Sequence, residues 1–75
     1  MDELDKIMLK YLKKSRAVTQ TTFQEIRAEI AADLESNPEI SDEDAQMLLE
    51  CIDEGNAHAM DEINRCIAEL TLESA

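Results

Sequence analysis

Two cysteines and a single histidine are the side chains of this 75-residue sequence with the most direct chemistry. Cys51 and Cys66 stand fifteen residues apart in a stretch that reads as one helix, which separates them by about 22 Å along the axis. A disulfide needs Cα atoms within about 7 Å, so an intact helix cannot bridge them. Cys66 falls on an apolar seam and reads as a small buried hydrophobe. Cys51 lies off that seam and reads as an interface residue or a free thiol. Unpaired thiols fit a reducing, cytoplasmic compartment. His58 follows Glu54 and precedes Asp61 and Glu62, and one histidine among scattered carboxylates does not close a metal site.

The segment 33–44 places oxygen ligands at the first, third, fifth and twelfth positions of a calcium loop, with Ile40 where such loops carry an apolar residue. Pro38 stands where the sharp turn needs Gly, and Asp44 where a bidentate Glu is needed, so the match fails at two positions. An acyl-carrier reading, prompted by size and acidity, fails for want of an Asp-Ser-Leu triplet, since Ser36 follows Leu34-Glu35. There is no CxxC, no phosphate-binding Gly loop and no Ser/His/Asp set. The sequence therefore predicts a protein that is not an enzyme and uses no metal and no cofactor.

Charge carries more information. Eighteen acids against seven bases give a net charge of −11. Residues 1–16 hold five of the bases against three acids, whereas residues 17–75 hold Arg27 and Arg65 against fifteen acids. Such a polyanionic body repels nucleic-acid phosphates and anionic membranes, so any contact of that kind falls to the N-terminal segment. Lys6, Lys10, Lys13 and Lys14 gather within about 80° of a helical projection, beside an apolar stripe. They read as a solvated face, or as a docking arm for a protein groove, a nucleic acid or a membrane surface. Glu43, Glu50, Glu54 and Asp61 form a matching acidic stripe, either solvated or presented to a basic protein surface.

These side chains need helices to hold them. One Gly and one Pro leave little turn chemistry for a multi-stranded sheet. No run of about 18 apolar residues spans a membrane. The Met-Asp-Glu start, with its close-set charges, reads against a secretory signal. Ser41 followed by Asp42, Glu43 and Asp44 has the form of a helix start, with acids where the helix dipole favours them. From there Ala45, Leu49, Ile52, Asn56, Ala59, Ile63, Cys66 and Leu70 alternate spacings of four and three, a heptad seam across residues 42–72. Gly55 costs roughly 1 kcal/mol without breaking its phase. Asn56 inside the seam reads as an amide that sets register and oligomeric state, or, with Gly55, as a flexible point.

The first half is less regular. Leu4, Ile7, Met8, Tyr11 and Leu12 form one stripe on residues 3–15, and Phe23, Ile26, Ile30 and Leu34 a second on residues 22–36. The two are offset by about 60°, and the β-branched, cap-forming residues between them predict a break or kink near residues 16–22. Ser36-Asn37-Pro38 ends the second helix.

Together these elements predict a single all-α domain: an antiparallel helical hairpin completed into a bundle by dimerisation or by a partner helix. The layout resembles the Rop-type hairpin, which dimerises into a four-helix bundle; that likeness concerns architecture alone. The functional expectation is a small acidic regulator or adaptor that binds another protein, in the class of inhibitors, anti-activators, immunity proteins and co-chaperones. The alternative is a dimeric bundle that binds nucleic acid through its basic N-terminal helix. A scaffold role is a weaker third reading.

Overall fold

A computed structural model describes residues 2–73 and forms an antiparallel helical hairpin, with no strand among the described residues. Helix α1 runs Glu3–Glu35 and helix α2 runs Asp42–Glu73. Both starts are capped by short oxygen-bearing side chains. The Asp2 carboxylate accepts a hydrogen bond from the Asp5 amide at 2.8 Å, and Ser41 Oγ accepts one from the Asp44 amide at 3.1 Å. Each satisfies a donor that the first helical turn leaves without a partner.

The connection is short and locally bonded. The Ser36 amide donates to the Ala32 carbonyl, and Asn37 Nδ2 donates to the Asp33 carbonyl at 2.6 Å, which closes the last turn of α1. The Ile40 amide then donates to the Asn37 carbonyl, enclosing Pro38 at a position where its fixed φ suits a turn. Every described residue makes this reversal without a positive φ.

Cross-helix bonds establish the register. Arg16 Nη1 donates to Asn64 Oδ1 at 2.9 Å, and Arg27 Nε donates to Asp53 Oδ1 at the same distance. Facing residues therefore have numbers that add to about 80 along the whole hairpin.

Residues 16–22 are helical throughout, so the predicted break is absent and the two expected N-terminal helices are one. The reason lies in which residues face α2. The half-buried positions of α1 are Asp5, Leu9, Leu12, Arg16, Thr19, Phe23, Ile30, Ala31 and Leu34, and Ile26 sits at the border of exposure. These keep the alternation of three and four through the middle of the helix once Arg16 and Thr19 are admitted to the seam. Leu4, Ile7, Met8 and Tyr11 are not on that seam, and the 60° offset came from counting them as part of it. Packing against α2 outweighs the few tenths of a kcal/mol that each β-branched residue costs a helix.

On α2 the eight seam positions Ala45, Leu49, Ile52, Asn56, Ala59, Ile63, Cys66 and Leu70 are the half-buried or buried ones, together with Met60 and Ile67 beside them. The result is a thin rod of 56 × 16 × 10 Å in which only Leu70 is buried among the described residues, and it keeps 8% of its surface exposed. Its radius of gyration is 17.1 Å, where a compact chain of this length has about 11 Å.

Candidate functional site

The chemistry-bearing residues do not converge. Cys51 is exposed and Cys66 half-buried, both with free thiols, and His58 is exposed. No group of three or more His, Cys, Asp or Glu side chains among the described residues could hold a metal. Asp33 is bound into the last turns of α1, and Asp42 and Asp44 into the first turn of α2, so the 33–44 segment is two helix ends and a turn instead of a ligand loop.

Interaction surfaces are better defined. Lys6, Lys10, Lys13 and Lys14 are all exposed on the N-terminal half of α1. Lys6 reaches Glu3 at 3.4 Å, and the Lys10 ammonium lies 5.4 Å from the centre of the Tyr11 ring. Lys13 and Lys14 form no ion pair among the described residues. The same half of α1 carries Leu4 (64% exposed), Ile7, Met8 and Tyr11 (55% exposed), a stripe turned about 90° from the seam.

This stripe continues onto α2 through a shallow groove. Met8, Tyr11 and Leu12 on one side and Cys66, Glu69 and Leu70 on the other enclose about 460 Å³. Leu72, 75% exposed, lies at the same end, on the side of α2 turned away from α1. The open end of the hairpin thus carries an apolar groove lined on α2 by Glu69 as well as Cys66 and Leu70, with the four exposed lysines on the same half of α1.

The turn half differs in charge, although it too exposes large apolar side chains at Ile40, Met47 and Leu48. Residues 20–59 contain eleven acids and a single basic group, Arg27. Arg27 is occupied by Asp53, in a pair whose two side chains are each about half exposed. Glu43, Glu50, Glu54 and Asp61 are exposed on the side of α2 that faces away from α1. Glu50 accepts from Gln46 Nε2 at 3.1 Å, while Glu43, Glu54 and Asp61 make no hydrogen bond or ion pair among the described residues.

Inside the seam, Asn56 Oδ1 is buried and has no hydrogen-bond partner among the described residues. Its neighbour Gly55 faces Phe23: a methyl group added at Gly55 would lie 3.9 Å from Phe23 Cε1. Sequence patterning had not singled out Arg16 as a seam residue or Asn64 as its partner. The heptad spacing from Leu9 and Leu12 to Phe23 is the signal that locates Arg16.

Comparison with protein-family models, curated proteins and solved structures finds no match to the chain. No helix among the described residues is long and apolar enough to cross a membrane. The case for function therefore rests on the surface of the hairpin itself.

Proposed function

We propose that this chain is a small, non-enzymatic, cytoplasmic regulator or adaptor that docks its acidic helical surface onto a basic surface of another protein. The observation that supports this most directly is the turn half, where eleven acids meet one arginine and the outward carboxylates Glu43 and Glu54 of α2 have no ion pair among the described residues. A rigid array of unpaired carboxylates raises the rate of encounter with a positive surface and rejects negative ones. Inhibitors, anti-activators, immunity proteins and co-chaperones work by such occupation of a partner surface, and none of these roles needs a catalytic group.

The test is capture from a lysate of the native host, comparing the wild-type chain with the Glu43→Lys, Glu50→Lys, Glu54→Lys triple variant. Proteins with a basic surface held by the wild type and lost by the variant support the proposal. Equal retention by both, or no retained protein, ends it. A second reading, nucleic-acid contact through the lysine arm, draws on the exposed and unpaired Lys13 and Lys14. Mobility-shift assays at low salt decide it, because phosphate contacts are strongest there. Absence of any shift removes that reading.

A further inference from the structure

The hairpin exposes far more surface than a folded chain of its mass requires. Its accessible area is 5721 Å², against about 4,700 Å² for a compact 8.5 kDa protein. The excess of about 1,000 Å² slightly exceeds what one partner contributes to an interface of standard size. Five large apolar side chains, Leu4, Ile7, Met8, Tyr11 and Leu72, are exposed at the open end, where Met8 and Tyr11 line a groove; Val18, Ile26, Ile40, Met47 and Leu48 are exposed elsewhere along the rod.

The charges around this patch are ordered along α1. Asp2, Glu3 and Asp5 lie toward its N-terminal end and Lys10, Lys13 and Lys14 toward its C-terminal end, with Lys6 between them and paired to Glu3 at 3.4 Å. A helical stripe with acids at one end and bases at the other is complementary to its own antiparallel copy. We propose that a second copy of this chain covers the patch, with the N-terminal halves of the two α1 helices crossing antiparallel around Met8. By the helical projection, Glu3 and Lys14 border the apolar stripe on the same flank, and a crossing at Met8 places Glu3 of each copy beside Lys14 of the other. The arrangement is two-fold and isologous, so every contact occurs twice.

Charge also selects the direction. A dimer with both turns at one end would set two eleven-acid halves side by side. The crossing at Met8 points the turns in opposite directions and leaves both acidic surfaces free. This assembly stands independently of the partner reading, because its test measures the mass and geometry of the purified chain alone.

Light scattering with sedimentation equilibrium is expected to give the mass of two chains. Met8→Asp, at an exposed position that leaves helicity by circular dichroism unchanged, should weaken self-association at least about tenfold, a charge buried in an apolar contact. Lys14→Glu should weaken it about threefold, as expected for two exposed ion pairs, and Glu3→Lys combined with Lys14→Glu should restore it. Spin labels placed by Ile40→Cys in a chain with Cys51→Ser and Cys66→Ser report the direction. Opposed turns put them about 95 Å apart at 1.5 Å per residue. A single-chain mass at millimolar concentration overturns the proposal. So does a two-chain mass that persists undiminished in Met8→Asp, or a label separation below about 30 Å, the reach of a same-end dimer.

Discussion

At the scale of single residues, two neighbours on α2 work against the stability of the hairpin in different ways. Gly55 sits in a helix interior with no positive φ and with open space toward Phe23, since an added methyl would rest at an ordinary 3.9 Å from the ring. It therefore imposes the backbone entropy cost of glycine without using its freedom. Gly55→Ala should stabilise by about 0.5–1 kcal/mol, seen as a melting temperature raised by several degrees. A lowered value would mean that the helix needs flexibility there. Asn56 holds a buried oxygen with no partner among the described residues, a state that costs about 1–3 kcal/mol. Replacing the amide with a hydrocarbon of similar size removes that cost, so Asn56→Leu should also raise the melting temperature. The same substitution removes a polar register mark from the seam, so the variant's mass distribution by sedimentation should broaden beyond the wild type's. A destabilised Asn56→Leu would show that the amide is satisfied in solution.

At the scale of elements, the two helices owe their limits to different signals. The start of α2 is a local matter of Ser41 Oγ and the Asp44 amide. Ser41→Ala should cost about 1 kcal/mol, measured by urea unfolding with an unchanged m-value. The continuity of α1 is a tertiary matter. Carbon-α chemical shifts across residues 16–22 should remain helical, and a return to coil values there would restore the break. This contrast shows why the seam of α2 was legible in the sequence and that of α1 was not. In α2 nearly every seam position is apolar, so spacing alone reveals it. In α1 the seam passes through Arg16 and Thr19, while four large apolar residues outside it imitate a seam of their own. A pattern reader follows hydrophobicity. The fold follows the positions that face the other helix, and Arg16 is admitted because its guanidinium reaches Asn64. The exposure of the charged faces was legible for the same reason in reverse: such charges need no partner in the fold and appear directly in the linear order.

At the scale of the whole molecule, the rod is held by a narrow seam and opposed by its own charge. The three exposed ion pairs among the described residues, Glu3–Lys6, Arg27–Asp53 and Glu62–Arg65, are worth little individually. Repulsion among the eleven acids of the turn half acts over many pairs at once and is screened by salt. Thermal stability should therefore rise between about 0.01 and 0.5 M NaCl, where the screening length falls severalfold. A fall over that range would mean that the ion pairs outweigh the net charge of −11. The register of the hairpin has one more consequence. Because facing residue numbers add to about 80, positions 3 and 73 lie at the same end of the rod, beside the Met8–Tyr11 groove and far from Pro38. Helix order is then interchangeable: a short linker joining those positions, with the chain opened at the turn, would give a circular permutant that keeps every seam contact. An affinity tag at either end of the present chain would crowd the apolar groove, whereas one inserted at the turn would stand about 40 Å away from it.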